Sequence, residues 1–268
     1  MSDCRYKRVR TCRLGRFAGM AAMKRLLAVG VVVAMAMGPL LAQRPHIDPR
    51  PLVWSVDGAG GMGGCSHGLA RANLQSGHPI EQAVFEWSHG KGRVILDQID
   101  AKYARAQGSR LAAKIIERKK AEPGRRMAIV AHSAGSAVVL SACEMLPPDC
   151  LERVVLLAPS VSSNYNLAPA LLAPRRGMDV FSSKKDWITL GMGTRLVGTA
   201  DRHWSSAAGR KGFLLPKTAV ADWEASRLRQ HFWSVEMTWT GNTGRHTGVY
   251  APAFLQSYVL PLLVASKP

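Results

Sequence analysis

The chain is predicted to fold as an α/β protein, with a mostly parallel central sheet and helices on both faces. Three observations carry that prediction. Short apolar runs alternate with segments of helical period, the pattern of strand–helix–strand units that build a parallel sheet. Two runs, 127–131 and 153–158, are almost unbroken in apolar residues, as strands buried on both faces must be. The first of them runs straight into a turn of small residues and then a helix.

The elements follow in order. Residues 52–56 read as a strand that ends in a glycine-rich loop over 57–64, and 82–87 as a second strand. A helix is expected over 96–121, with Leu96, Ile99, Tyr103, Leu111, Ile115 and Ile116 on its apolar face and Gly108 as its weak point. Pro123 and Gly124 stop it. The strand 127–131 leads through His132–Gly135 into a helix over 136–146, which Pro147 and Pro148 end. Further strands are expected at 153–158, 178–182 and 231–239, giving six in all. A last helix covers 251–265, with Pro252 in its first turn, where no N–H is needed. A chain of 268 residues is long enough for one sizeable core.

The N-terminus reads as a targeting segment. Lys24 and Arg25 precede the apolar stretch 26–37, and Gly38 and Pro39 break it before Ala42, the layout of a secretory signal peptide. A span needs roughly 20 apolar residues, which favours a cleaved signal over a retained anchor. Residues 1–42 are therefore taken as signal peptide or anchor, 43–51 as a proline-containing linker, and 52–268 as the folded domain. Met23 can serve as the start, with 1–22 an upstream extension. The expected location is secreted or periplasmic, with membrane anchoring as the alternative.

Net charge is +18, and +11 (28 basic against 17 acidic side chains) without residues 1–42. Such a surface can associate with a membrane or with anionic envelope polymers. No nucleic-acid motif accompanies it, so a nucleic-acid partner is not expected. After the leader, Cys65, Cys143 and Cys150 remain. Cys143 and Cys150 flank a Leu-Pro-Pro turn and could pair outside the cytoplasm; three free thiols are the alternative. No Cys or His spacing implies a metal, and nothing implies an organic cofactor.

The chemistry concentrates at Ala131-His132-Ser133-Ala134-Gly135. A serine on a sharp strand-to-helix turn must hold a strained backbone, and its flanks approach so closely that the positions two before and two after must be small. Ala131 and Gly135 meet that need, and the helix start beyond Ser133 favours developing negative charge. The competing reading is an ordinary serine at a helix start.

With this strand, turn and helix the chain resembles the α/β-hydrolase superfamily over about residues 52–265, with Ala131 in place of the usual first glycine. Its Ala-His-Ser-Ala-Gly form is similar to lipase-like bacterial hydrolases. The resemblance implies a nucleophile, an acid and a histidine in that chain order, on the ends of successive strands. Ser133 is then the nucleophile. Asp186, after the strand 178–182, is the acid candidate, ahead of Asp179 at that strand's start and Asp201. His246, between the last strand and the last helix, is the histidine. The resemblance also implies oxyanion donors at the Ala134 N–H and at Ala59 or Gly60 in the glycine loop, where Asp57 stands in place of the family's histidine. A phosphate cradle is the other reading of that loop, without the expected flanking motif.

The implied function is hydrolysis of a small-molecule or lipid carboxylic ester through an acyl-enzyme. An acyltransferase with the same residues and a non-catalytic binding protein on the same fold are the alternatives. Residues 164–172 and the stretch 187–230, with Trp187, Trp204 and Trp223, are expected to wall the pocket, core packing being the other reading of the tryptophans.

Overall fold

A computed structural model describes residues 48–77, 79–186, 199–200, 206–215 and 226–265. Its strands are β1 (Leu52–Val56), β2 (Glu81–Val84), β3 (Met127–His132), β4 (Arg153–Leu157), β5 (Met178–Ser182) and β6 (Leu228–Phe232). Its main helices are α1 (Gly64–Gln75), α2 (Val94–Ile99), α3 (Ala101–Ala121), α4 (Gly135–Met145) and α5, a helical run over 252–264. The strands form one sheet in the order β2-β1-β3-β4-β5-β6, and every neighbouring pair is parallel. The predicted fold class is borne out, with six strands and no antiparallel pair among them.

Side-chain alternation along the strands sets the layers. Met127, Ile129 and Ala131 of β3 join a core with Leu111 and Ile115 of α3 and Val139 of α4. Ala128 and Val130, pointing the other way, join a second core with Leu69 of α1 and Phe254 and Leu263 of α5. All six residues of β3 are buried, which is why its sequence is apolar without alternation. Each fully buried side chain such as Ile129 or Leu156 contributes roughly 1.5–3 kcal/mol.

The strand order reverses between β1 and β3. From β1 the chain goes outward through α1 to β2; from β2 it returns through α2 and α3 to the far side of β1. Loops leaving the carboxyl ends of β1 and β3 therefore part to opposite faces, opening a crevice of the kind that holds ligands in open α/β sheets.

Four elements differ from expectation. Helix α1 was not foreseen; its Gly64 and Gly68 weaken the helical pattern. The helix expected over 96–121 is two helices. The break falls at Asp100, whose carboxylate accepts the Tyr103 N–H at 2.8 Å and caps α3. The strand expected over 231–239 is shifted: β6 covers Leu228–Phe232, and Val235–Thr240 is a 3₁₀ helix. Residues 85–87, expected in β2, leave the sheet, although the Phe85 N–H still reaches the Ser55 carbonyl at 2.9 Å. Within α5 the turn Leu255–Val259 has π geometry, just ahead of Pro261, which has no N–H to donate.

Helices α3 and α4 cross at Gly108. A Cβ there would lie 2.7 Å from Ser141 Cβ and 2.8 Å from the Val138 carbonyl. Gly108→Ala gains about 1 kcal/mol of helix propensity but overpacks a backbone contact, at about 1–3 kcal/mol. The expected outcome is net destabilisation, read as a lower urea midpoint with unchanged slope.

Candidate active site

The site is built on the turn between β3 and α4. Ser133 has φ +52°, the left-handed region that side chains disfavour. The surroundings hold it there. Its N–H donates to the Leu157 carbonyl at 3.0 Å, and its carbonyl accepts the N–H groups of Ser136 and Ser160, each at 3.1 Å. Gly135 is small because a Cβ there would come within 2.4 Å of the Asp57 carbonyl. On the other side a Cβ on Gly58 would meet His132 Nδ1 at 2.9 Å and Ser133 Cβ at 3.1 Å. The glycine loop after β1 thus packs directly on the serine turn.

Asp186 lies in the turn after β5, its N–H donating to the Ser183 carbonyl at 3.1 Å. His246 lies in the loop between Val235–Thr240 and α5. That loop is pinned by the Trp233 indole N–H, which donates to the Asn242 carbonyl at 2.8 Å, and by the Gly244 N–H, which donates to Asn242 Oδ1 at 3.0 Å. The three candidates converge although 53 and 60 residues separate them in turn. His246 Nδ1 is 2.6 Å from Asp186 Oδ2, and His246 Nε2 is 2.9 Å from Ser133 Oγ. A carboxylate at Nδ1 places the imidazole proton there, leaving Nε2 to accept the serine O–H. Asp186 is 2% exposed, and its Oδ1 has no hydrogen-bond partner among the described residues. The arrangement can remove a proton from Ser133 and hold the positive charge that results on the imidazole.

Asp179 takes no part in this chain. It is the second residue of β5, fully buried, and it binds Arg153 of β4 and Arg229 and His231 of β6. Burial would raise its pKa, but hydrogen bonds from His231, Arg229 and Arg153 outweigh that and hold the carboxyl below the usual range. Asp201, Trp187, Trp204, Trp223, His46, His78 and His203 lie outside the described residues.

The glycine loop corrects one expectation. The Gly60 N–H donates to Asp97 Oδ2 at 2.7 Å, so it is engaged and is not a free oxyanion donor. The N–H groups of Ala59 and Ala134 meet no acceptor among the described residues. Asp57 turns away from the serine: its carboxylate accepts the Ser66 N–H at 3.0 Å and the Ser66 hydroxyl, tying the loop to the first turn of α1.

A cavity of ≈ 690 Å³ lies beyond the loop, with Asp57, Gly58, His67, Glu86, Trp87 and Lys91 among its walls. Gly58 links it to the serine turn. The segment 164–172, expected to wall the pocket, gives part of its apolar surface to the core instead. Leu167, Ala170 and Leu171 are buried in the core shared with α4, where burial of their apolar surface is favourable. Cys65, Cys143 and Cys150 are free thiols. Among the described residues no three His, Cys, Asp or Glu side chains converge on a point that could hold a metal ion.

Sequence reasoning missed two residues. His132, at the end of β3, donates from Nε2 to the His246 carbonyl at 3.2 Å. Its ring lies 4.8 Å from that of His246 and packs edge-on to Tyr250. The signal was a histidine closing an otherwise apolar buried strand. Asp97 is the second, an acid inside the apolar run 94–99.

Burial, with His246 adding repulsion, pushes the His132 imidazole down to about 3 from 6.5. The folded chain therefore keeps His132 neutral beside His246 while the unfolded chain protonates it below pH 6.5. Stability is complete above about pH 6.5 and is lost as pH falls toward about 3, at up to ~1.4 kcal/mol per pH unit. Urea midpoints between about pH 6.5 and 4.5 should fall less steeply for His132→Gln than for the wild type.

No family model and no curated protein sequence matches the chain. Solved structures with a similar chain path include XC6422 of Xanthomonas campestris, an α/β serine hydrolase without a lid. It is 14% identical, with 84% of this chain and 87% of that one covered and a TM-score of 0.49. The lipase BlEst2 of Bacillus licheniformis is 16% identical, with 82% and 95% covered and a TM-score of 0.45. Esterase 2 of Thermogutta terrifontis, phosphonylated by sarin, is 12% identical, with 85% and 89% covered and a TM-score of 0.45. The chain's own sheet order, parallel throughout, with a left-handed serine between β3 and α4, is that of the α/β-hydrolase fold.

Proposed function

We propose that the protein is a serine hydrolase that cleaves carboxylic esters through an acyl-enzyme. The observation that carries this reading is the unbroken hydrogen-bonded chain from Ser133 through His246 to buried Asp186. Ser133 Oγ attacks the ester carbonyl as His246 Nε2 takes its proton. Asp186 holds the imidazole in the tautomer that leaves Nε2 free and stabilises the imidazolium. The Ala134 and Ala59 N–H groups receive the oxyanion, a donor of this kind contributing roughly 2.7–4 kcal/mol. His246 then protonates the leaving alkoxide, and water, deprotonated by the same His246, releases the acid and restores Ser133.

His132 supports the same chemistry. It holds the His246 carbonyl while remaining uncharged, so it does not oppose the positive charge that His246 gains. The cavity beside Gly58 offers room for one side of the ester.

Reaction of the mature protein with a fluorescent fluorophosphonate tests this. Labelling is expected for the wild type and absent in Ser133→Ala. Asp186→Asn, which disturbs the tautomer, should lower kcat on p-nitrophenyl esters by about 10⁴-fold. Folded wild type that does not label, or Ser133→Ala that still does, would sink the reading. A rate that rises with added alcohol or sugar acceptor, with acylated acceptor as product, would turn it toward acyl transfer.

We also propose export from the cytoplasm, supported by the basic, apolar and small-residue layout of residues 24–42. N-terminal sequencing of the protein recovered from outside the cytoplasm should start at Gln43; an intact apolar segment on membrane-bound protein would favour the anchor instead.

A further inference from the structure

The glycine loop needs a rigid support that its own residues do not supply. Between Gly58 and Gly64 five residues are glycine, and glycine restricts its backbone less than any other residue. An oxyanion donor works only if it is already aimed when charge develops. The support comes from Asp97 of α2, which is 2% exposed. Its Oδ2 accepts the Gly60 N–H at 2.7 Å and the Ser88 hydroxyl at 2.5 Å; its Oδ1 faces the His89 N–H and Nδ1, each at 2.8 Å. The His89 ring is held in turn, stacked on Tyr103 with ring centroids 3.7 Å apart.

The loop is gripped on both sides of residue 60. The Gly60 carbonyl accepts the Gly92 N–H at 2.9 Å, so both polar groups of Gly60 are tied to the segment 88–97. Gly60 holds φ +86°. At the other end Gly58 packs on Ser133 and His132, and Asp57 is tied to Ser66. Ala59 is bracketed between these two anchors, and its N–H meets no acceptor among the described residues.

We infer that Asp97 is a positioning residue for the ester hydrolysis proposed above: by fixing Gly60 it aims the neighbouring Ala59 N–H at the oxyanion. This rests on that function and adds a residue to it. Four donors converge on the carboxylate. Burial alone would raise its pKa, but hydrogen bonds from Ser88, His89 and Gly60 prevail and keep it ionised. Charge-assisted bonds of this kind are about twice as strong as neutral ones, which suits a tether. An asparagine could accept at only one side of the cluster and would turn its amide N–H groups toward donors on the other.

The test compares wild type, Asp97→Asn and Asp97→Ala on a p-nitrophenyl ester and on a trifluoromethyl ketone, which adds to the serine and places an oxyanion in the hole. Deleting a donor costs about 10²–10³-fold in kcat. A donor that is loosened but present should cost about 10–100-fold, with KM nearly unchanged and the ketone Ki raised by the same factor. A fall in kcat without the matching rise in Ki, or wild-type kinetics in both variants, would overturn the inference. Absence of Ser133-dependent fluorophosphonate labelling in the wild type is a different outcome, which removes the hydrolase reading and this inference with it. Should neither variant fold, amide exchange of the wild type decides. Gly60 is expected to exchange slowly with or without the ketone, while Ala59 and Ala134 become protected only when it is bound. Fast exchange at Gly60 would overturn the tether.

Discussion

The left-handed backbone of Ser133 is the constraint from which the rest of the site follows. A non-glycine residue at φ +52° costs on the order of 1–3 kcal/mol and persists only where its surroundings over-determine it. Here the surroundings are two strands buried over their whole length. The serine N–H is taken by β4, its carbonyl by Ser136 and Ser160, and the strand before it is buried over its whole length. The turn also dictates its neighbours. Gly135 is fixed by the Asp57 carbonyl and Gly58 by Ser133 itself, so the glycine loop and the serine turn are two halves of one packed unit.

Around that unit the parallel sheet does the gathering. Because all six strands run the same way, the loops after β3, β5 and β6 emerge on one edge, and Ser133, Asp186 and His246 meet there. The two acids of β5 and its following turn show how position divides roles. Asp179, near the start of the strand, is consumed by Arg153, Arg229 and His231 and ties β4, β5 and β6 together. Asp186, past the end, contacts one histidine ring. The same side chain is a fastener at one end of a strand and a charge partner at the other.

Most of the sheet was legible because its signal is local. An apolar pentad such as 127–131, bounded by turn residues, admits few readings. The errors have equally physical sources. Helix α1 carries glycines that depress its pattern; it forms because its apolar face has α5 and the sheet to cover. The single helix expected over 96–121 breaks because Asp100 prefers to cap α3. The stretch 235–240 alternates apolar and polar residues as a strand would, but β6 pairs with β5 from Leu228 onward, and the chain has left the sheet by Val235.

For the site, the order of strand, small residue, serine, small residue and helix is a covalent neighbourhood, and the local requirement for small flanking residues made Ser133 readable. The acid and the histidine could be narrowed by their order along the chain and their place after strands. Their meeting is a matter of distances across 60 residues or more, which depends on how the sheet stacks its strands. For the support of the glycine loop by Asp97, the occupation of the Gly60 N–H and the hold of His132 on the His246 carbonyl, the sequence shows a polar residue in or closing an apolar run but not its partner. Each is a hydrogen bond between segments remote in the chain, formed because a polar group buried by folding must find its partner wherever the packing has placed one.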